Sequence, residues 1–433
     1  MNTSELFVSD SLKEFLNSSP VNFYAVETSR RMLEGNGFSE LDMREAWNLK
    51  SGDRRYVVKN GSAIFAFIVG SGAASEGFHI IAAHSDSPGF RLKPSCEILC
   101  EGGVVKLNTE VYGGPILYTW FDRPLSVAGR VILRGDDPLN PESRLVKIDY
   151  PLLTIPHLAI HFNRQVNDGN MLSKQKDMLP VIALGCENGK GMIKSLVAKE
   201  LGVEEDSIID YDLSLFDFEQ ACNFGSQGEF ISSGRLDDLS MVHAALTALL
   251  DKSEELTSKT RVVAIFDNEE TGSGTKQGAG SPVLEHILRR IVISKGGGDE
   301  DFMRGVASSF MISADNAHGF HPNYGEKYDL TNHPRLGGGP CIKINANCKY
   351  MTDADSAAVF AEICKSAGVP YQYFVNHSDV AGGSTLGNIL TSNIPLRGVD
   401  MGAPLWAMHS VRETASVADH YYTIKAFSRF FSY

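Results

Sequence analysis

The sequence lacks the cysteine pattern of a disulfide framework or of a thiolate zinc site. Its seven cysteines are scattered through 433 residues, and no two of them form a C-x-x-C pair. An odd number of isolated cysteines is typical of reduced thiols in a cytosolic protein, most of them small buried side chains. The seven are Cys96, Cys100, Cys186, Cys222, Cys341, Cys348 and Cys364. We therefore expect neither a disulfide framework nor cysteine-ligated zinc.

Basic residues are also in deficit. The chain has 40 lysines and arginines against 53 aspartates and glutamates, which gives a net charge of −13. Nucleic acids and anionic membranes bind proteins through a basic face, so this balance argues against both classes of partner. It does not exclude a small basic pocket for an acidic ligand.

Long apolar segments are missing as well. The run AIFAFIV (63–69) has the length of a strand, whereas a membrane-spanning helix needs about 20 apolar residues. The N-terminal stretch MNTSELFVSDSLKEFLNSSP has no basic segment followed by an apolar one, which argues against a signal peptide. Its Leu12, Phe15 and Leu16 have the spacing of an amphipathic surface helix. We expect a cytoplasmic protein that does not bind membranes.

What the sequence does contain is an alternation of helical and apolar strand patterns toward its two ends. Residues 1–90 and 229–433 alternate in this way, which is typical of βαβ units. Residues 91–228 instead show short strand-like runs punctuated by turns, and only MIKSLVAKEL (192–201) looks helical there. We therefore predict a discontinuous α/β domain, 1–90 plus 229–433, interrupted by a mainly β domain, 91–228.

Several apolar runs end in histidine or carboxylate side chains. These residues are His84 and Asp86 after HIIAA, Asp267 to Glu270 after RVVAIF, Asp315 after SFMISA, Asp400 within RGVDMG, His409 in the loop beyond RGVDMG, and the pair Asp237 and Asp238 before a predicted helix. Taken singly, each is an ordinary turn or helix-cap sequence. Because ligands of open α/β sheets bind outside the carboxyl ends of the strands, all of them together would line one crevice.

Carboxylates crowded into one crevice repel one another unless a cation lies among them. A set of histidines and carboxylates without a thiolate suits one or two Zn²⁺, Mn²⁺ or Co²⁺ ions. A carboxylate shared by two such ions is the usual core of a dinuclear hydrolase. The pattern therefore favours a metal-dependent hydrolase.

The same stretches resemble the aspartyl aminopeptidases, a family of dinuclear-zinc metallopeptidases. The similarity runs in order from about residue 20 to the C terminus and is carried by AAHSDSPGFRLKP, EVYGGPILYTWFDRPLSVAGRV, IPHLAIHFNR, SGRLDDL, FDNEETGSG, SADNAHGFHPNY, GGGPCIKINANCKY and MHSVRE. Ser85 stands where threonine is frequent in that family, and Asp238 where asparagine is frequent. The resemblance implies an α/β/α sandwich catalytic domain with an inserted, mainly β dimerisation domain, and dimers assembled into a dodecamer.

The resemblance also implies a metal-ligand set with two Zn²⁺ per subunit, for which Co²⁺ or Mn²⁺ can substitute. His84 and Asp315 would bind one of the two zinc ions. Glu270 and His409 would bind the other, and Asp237 would bridge the two ions.

Four further residues receive roles around this centre. The resemblance implies that Glu269 is the general base and that Asp86 supports the neighbouring histidine ligand. Lys343 is our candidate for binding an acidic substrate residue, and the alternative is a solvent lysine at the edge of a strand. Prolines near HLAIHF favour a strand there, in which His157 is structural, while the resemblance implies that His161 reaches into the active site of a partner subunit.

The predicted activity is hydrolysis of the N-terminal peptide bond of short peptides, with a preference for acidic first residues. A dinuclear carboxypeptidase or an N-acyl-amino-acid deacylase on a similar scaffold is the first alternative. Acetylated peptides distinguish them, because an aminopeptidase requires a free α-amine. The second alternative, a non-catalytic metal-bound oligomeric scaffold, would be indicated by loss of the base, which the sequence retains as Glu269.

Overall fold

The computed structural model describes residues 3–433, which separate into two compact units. The first unit contains the chain up to Asp86 together with residues 221–408 and 413–433, and the second contains residues 87–220 and 409–412. These limits lie a few residues before the predicted ones at 90 and 229. Residues 409–412 belong to the second unit because Val411 packs in the apolar core of that unit.

Helices and strands alternate along much of the chain. The nine α-helices of residues 3–433 are α1 (Thr3–Ser18), α2 (Asn22–Glu34), α3 (Met192–Leu201), α4 (Leu236–Asp251), α5 (Val283–Ser294), α6 (Asp299–Ala307), α7 (Ala354–Ala367), α8 (Leu386–Asn393) and α9 (Val417–Phe430). Within that range, no helix combines the length and the apolar composition needed to cross a membrane.

The strands of the described chain are β1 (Ser39–Glu40), β2 (Arg54–Lys59), β3 (Ala63–Ile68), β4 (Phe78–His84), β5 (Gly89–Leu99), β6 (Val105–Tyr112), β7 (Leu125–Leu133), β8 (Glu142–Lys147), β9 (Val181–Ala183), β10 (Ile208–Asp217), β11 (Cys222–Phe224), β12 (Phe230–Ser233), β13 (Thr260–Phe266), β14 (Phe310–Ala314), β15 (Ala317–His318), β16 (Cys341–Ile344), β17 (Gln372–Val375), β18 (Gly398–Gly402), β19 (Pro404–Trp406) and β20 (Glu413–Ser416). They form one nine-stranded, one six-stranded and one five-stranded sheet.

The first unit is built around the nine-stranded mixed sheet, with the order β1-β2-β3-β13-β4-β14-β18-β16-β17. Its centre is parallel: β13, β4, β14 and β18 are successive parallel neighbours, and Phe266 at the end of β13 is paired with His84 at the end of β4. All residues of these four strands are buried, which is the pattern of a parallel sheet covered on both faces. The carboxyl ends of these strands therefore lie side by side.

Helices cover both faces of this sheet. Successive side chains of a strand point to opposite faces, so neighbouring residues of β4 enter different apolar clusters. Ile81 packs in the cluster that contains Leu246 of α4 and Phe427 of α9, whereas Ile80 packs in the cluster that contains Leu288 of α5. This arrangement confirms the predicted α/β/α fold class. The five-stranded sheet, with the order β11-β12-β20-β19-β15, belongs to the same unit.

The second unit is mainly β. Its six-stranded sheet has the order β8-β7-β10-β5-β6-β9 and is antiparallel throughout. The helix α3, at the position that the sequence indicates, buries Ile193 and Val197 in a core with Leu107 and Val131. The use of this unit for dimerisation stays a prediction.

Candidate metal centre

Neighbouring strands of the first unit end in the predicted ligand residues. β4 ends at His84, and Asp315 directly follows β14. The chain after β13 forms a short 3₁₀ turn, Glu269–Thr271, that carries both glutamates of the pair. Because β13, β4 and β14 are adjacent in the sheet, these side chains start from one edge of it.

Two groups of side chains within the first unit bring potential ligand atoms within 4.8 Å of one another. Both contain His84; the first adds Asp237, Asp238 and Asp315, and the second adds Glu269 and Glu270. The Nε2 atom of His84 lies 3.8 Å from Oδ1 of Asp237 and 4.0 Å from Oδ2 of Asp238. The structure thus brings together four predicted metal ligands, the predicted base, and Asp238, to which the sequence assigned no role at the site.

The electrostatics of these groups are those of crowded, buried carboxylates. Burial, reinforced by Asp315 and Asp237 and opposed by His84, raises the pKa of Asp238 well above its ordinary value. Burial likewise raises the pKa of Glu269 to about 8, again with His84 opposing the shift. A divalent cation among these groups would offset their mutual repulsion.

The donor set fits such an ion. The Oδ1 atom of Asp238 is buried and has no hydrogen-bond partner among residues 3–433, although buried carboxylate oxygens are normally paired. Histidine nitrogen and carboxylate oxygen are ligands that zinc accepts, with no thiolate required. The residues of the first unit therefore fit a divalent metal such as zinc.

Asp86 connects the histidine ligand to the glutamate turn. The ring Nδ1 of His84 is 3.0 Å from the main-chain oxygen of Asp86 and 3.4 Å from its Oδ1 atom. The two carboxylate oxygens of Asp86 also accept hydrogen bonds from the backbone N–H groups of Glu269 (3.1 Å) and Glu270 (3.2 Å). One buried residue therefore positions both the histidine ring and the backbone of the turn.

Lys343 is not a surface lysine. Its strand, β16, lies between β18 and β17, and the residue is only 3% exposed, so the alternative of a solvent lysine at a strand edge is wrong. Its Nζ atom lies 3.2 Å from Oδ1 of Asp315. Burial disfavours the ammonium charge, but Asp315 and Tyr350 outweigh this effect and raise the pKa of Lys343. The lysine therefore stays charged beside a candidate ligand.

The two remaining candidate residues, His409 and His161, belong to the second unit. The Nδ1 atom of His409 hydrogen-bonds the carbonyl oxygen of Gly114 at 3.1 Å, the kind of contact that orients a metal-binding ring. His161 is exposed in a 3₁₀ turn, Ile160–Phe162, so the strand predicted for HLAIHF is wrong. His157 stacks on Phe121, with ring centroids 4.5 Å apart, as expected of a structural residue.

Comparison with known proteins places this geometry in a family. The family model described as Aminopeptidase I zinc metalloprotease (M18) matches residues 15–431. The chain belongs to the M18 family of zinc metallopeptidases. The resemblance found in the sequence is thereby confirmed, as is the enzyme class of a zinc-dependent aminopeptidase.

Similar members of the M18 family align over nearly the whole chain. The Probable M18 family aminopeptidase 2 of Clostridium novyi (strain NT) is 51% identical over 425 residues, which are 97% of this chain and 98% of that protein. A chain in the cryo-EM structure of the Ape4 and Nbr1 complex is 36% identical, with a TM-score of 0.95, and the match covers 99% of this chain and 86% of that one. The S. cerevisiae mApe1 dodecamer gives 26% identity and a TM-score of 0.86, over 98% of this chain and 96% of that one.

Two supporting carboxylates of this M18 site were not assigned a role from the sequence. The buried Asp238 accepts a hydrogen bond from the backbone N–H of His84 (3.1 Å), and its position next to Asp237 was an available signal. The buried Glu413 accepts from the backbone N–H of Asp237 at 3.0 Å. No local pattern identifies Glu413, because its partner lies 176 positions away in the chain.

A glycine of β18 allows the chain to approach Asp315. A Cβ atom at Gly272 or Gly274, in the turn after β13, would meet nothing within 4 Å. At Gly402, in contrast, a Cβ atom would lie 1.8 Å from the carbonyl oxygen of Asp315 and 2.8 Å from Cα of Asn316. The close approach is therefore at Gly402.

We expect Gly402→Ala to displace Asp315 and to lower zinc affinity and kcat/KM by about tenfold or more, since overpacking of this kind distorts the backbone. The measurement is zinc content after dialysis together with kcat/KM. Gly274→Ala is the matched control, because the added methyl group meets open space there. Wild-type zinc retention in Gly402→Ala would show that Asp315 tolerates the displacement or is not a ligand.

Proposed function

We propose that this M18 metallopeptidase removes acidic residues from the N termini of short peptides, using two zinc ions and Glu269 as the general base. The observation that carries the proposal is the cluster in the first unit, where potential ligand atoms of Glu269, Glu270 and His84 lie within 4.8 Å of one another. The backbone amides of both glutamates are held by one buried carboxylate, that of Asp86. Such support from rigid elements is what a catalytic constellation requires.

His84, Asp237, Glu270 and Asp315 would hold the ions, and the resemblance adds His409 as a further ligand. Zinc, when bound, supplies a Lewis acid that polarises a carbonyl group and acidifies water. Asp238 would act on the backbone of His84, to which it is hydrogen-bonded. Glu413 has the corresponding role for the backbone of Asp237.

Glu269 would carry the proton. It takes a proton from the attacking water as the water oxygen bonds to the scissile carbonyl carbon. It then returns that proton to the leaving nitrogen as the C–N bond breaks, so that a free amino acid and a shortened peptide are released. Glu269 is half-buried beside the proposed ligand Glu270, and a position at the candidate metal centre suits this transfer.

The experiment that tests this function is a panel of aminoacyl-p-nitroanilides with acidic and neutral first residues, with and without chelator and with added Zn²⁺, Mn²⁺ or Co²⁺. We expect chelator-sensitive hydrolysis with the highest kcat/KM for Asp and Glu. N-acetyl-Asp-p-nitroanilide is the control and should resist cleavage. Release of acetate from the acetylated substrate would indicate the deacylase alternative, and release of C-terminal residues from peptides would indicate the carboxypeptidase.

We propose Lys343 as the source of the acidic preference, since it is the positive charge beside Asp315. Lys343→Met should lower kcat/KM for the Asp substrate about tenfold more than for the Leu substrate, because a hydrogen bond to a charged group is lost. Lys327→Met, at an exposed lysine, is the control. An unchanged Asp-to-Leu ratio would mean that Lys343 acts only through Asp315.

We also propose that the chain forms homo-oligomers in which His161 of one subunit contacts substrate in the active site of its partner. Support comes from the exposed apolar side chains that flank it, Leu158 (57% exposed), Ile160 (51%) and Phe162 (81%), since clustered apolar exposure marks interfaces. The similar S. cerevisiae mApe1 is a dodecamer.

If so, His161→Ala and Glu269→Gln should each be nearly inactive, and a dissociated and reassembled equal mixture should recover about one quarter of wild-type activity. In that mixture half of the dimers are mixed, and each mixed dimer has one site with both residues intact. The measurement is the hydrolysis rate after reassembly, with unmixed variants as controls. No recovery in the mixture would place His161 outside the partner's site.

A further inference from the structure

A cavity of about 530 Å³ lies in the first unit at the opposite end of β4 from the candidate metal centre. His79 lines it near the start of β4, whereas His84 stands at the end of the same strand. At about 3.3 Å per strand residue, the two histidines are roughly 17 Å apart. The cavity is therefore separate from the proposed catalytic site.

His79 is a buried polar side chain in this cavity. It is 7% exposed, and its Nδ1 atom is enclosed without a hydrogen-bond partner in the described part of the chain. Its ring packs on that of Phe430, with centroids 4.8 Å apart. Burial, reinforced by Lys259 and Arg261, lowers the pKa of His79 to about 4, so the ring is neutral at pH 7. A neutral imidazole whose Nδ1 has no acceptor nearby holds its proton on Nε2, where it can donate to a ligand.

Lys259 supplies a positive charge at the same cavity. Its Nζ atom donates to the carbonyl oxygens of Glu76 (2.6 Å) and Ser308 (2.7 Å), which leaves one N–H of the ammonium group. No carboxylate of residues 3–433 lies within ion-pair distance of it. Burial lowers the pKa of Lys259, with Glu76 opposing the shift, so an anion would stabilise its charged form.

The other charged groups that line the cavity are already paired. Arg397 forms an ion pair with Asp355, and Glu362 forms one with Lys365. The remaining lining is largely apolar and consists of Phe310, Ala358, Val359, Ile363 and Phe430, with Ser308, Ser309 and Tyr433 beside them. The cavity therefore combines apolar walls with one available cation and one available imidazole.

We propose that this cavity is a binding site for a small apolar molecule with a single carboxylate group. The carboxylate accepts hydrogen bonds from Lys259 and His79, and the apolar body packs against Phe430, Val359 and Ile363. Pockets of this size, mainly apolar with a few convergent polar groups, are typical small-molecule sites.

The test is ligand-observed NMR on the zinc-loaded full-length protein with 3-phenylpropanoate as the probe. We expect saturable binding, and about tenfold weaker binding of the neutral analogue 3-phenylpropanol, which lacks the charge-assisted hydrogen bonds. His79→Phe keeps the ring contact with Phe430 and removes the donor, and Lys259→Met removes the cation. Each should weaken binding of 3-phenylpropanoate by about tenfold.

Two pairs of variants locate the site. Ala358→Trp fills the cavity from an exposed position on α7 and should abolish binding, whereas Ala354→Trp, exposed on the same helix but outside the lining, should not. Lys295→Met is the control for Lys259→Met, because Lys295 also donates to a backbone carbonyl, that of Gly70, outside the cavity. Wild-type zinc content and hydrolysis in Ala358→Trp show that the catalytic site is intact.

Binding that survives Ala358→Trp and His79→Phe would place the probe elsewhere, for example on the zinc ions, and would overturn the proposal. So would equal affinity for the carboxylate and the alcohol. Absence of any binding to the wild-type protein at millimolar probe, as when a neighbouring subunit fills the cavity, would overturn it as well.

Discussion

Glu269→Gln is expected to lower kcat by about 10²- to 10⁴-fold and to leave the zinc content near that of the wild type. The loss has this size because glutamine cannot accept the proton of the attacking water, and general-base catalysis contributes a factor of this order. The zinc content stays unchanged because Glu270, and not Glu269, is the proposed ligand of the pair. Steady-state kinetics and elemental analysis of the purified variant measure the two quantities.

The control for this variant is Glu300→Gln, an exposed glutamate of α6. It makes the same change of charge outside the candidate metal-binding groups and should keep wild-type kinetics and zinc content. A carboxylate oxygen of Glu269 does lie within 4.8 Å of the potential ligand atoms of His84 and Glu270, so the alternative is that Glu269 is a metal ligand. Zinc loss in Glu269→Gln would indicate that role.

Glu270→Ala produces the opposite pattern, a loss of zinc that causes the loss of activity. We expect about one zinc per subunit, or less, and a fall in kcat/KM of more than about a hundredfold, because loss of an outer-shell partner alone reaches tenfold to a hundredfold. Saturating zinc should restore part of the activity, since the remaining ligands still offer a weaker site. Elemental analysis before and after zinc addition, with kcat/KM at each stage, measures this.

The comparison between the two glutamates decides the division of roles. They are adjacent in one 3₁₀ turn, and Asp86 binds both of their backbone amides, so a general disturbance of the turn would affect both variants alike. Equal zinc loss in Glu269→Gln and Glu270→Ala would therefore contradict the proposed base and ligand. Full zinc retention in Glu270→Ala would exclude it from the ligand set.

Much of the fold could be predicted because its strands and helices follow local patterns. RVVAIF and HIIAAH are continuous apolar runs of strand length, which form the adjacent strands β13 and β4. The residue that follows such a run lies at the carboxyl end of its strand, which is where ligands of open α/β sheets bind. For this reason, the local sequence was sufficient to mark His84 and Asp315 as candidate ligands.

Other features could not be predicted because they depend on contacts between distant segments. Lys343 stands in a short alternating stretch that equally fits an exposed edge, whereas the tertiary structure places β16 between β18 and β17 and buries Lys343 beside Asp315. The turn at His161 departs from the strand predicted from nearby prolines. Asp86 holds backbone amides 183 and 184 positions away, a pairing that no spacing reveals.

By itself, the sequence determined the α/β class of the first unit and the candidate ligand types at the ends of its strands, because these depend on local periodicity and residue chemistry. The zinc-peptidase family followed from the resemblance of its motifs. Tertiary structure alone decided which carboxylates support the candidate ligands, that Lys343 forms a buried ion pair with Asp315 and that a cavity opens at the other end of β4. The physical reason is that burial and hydrogen-bond geometry arise only when segments far apart in the chain pack together.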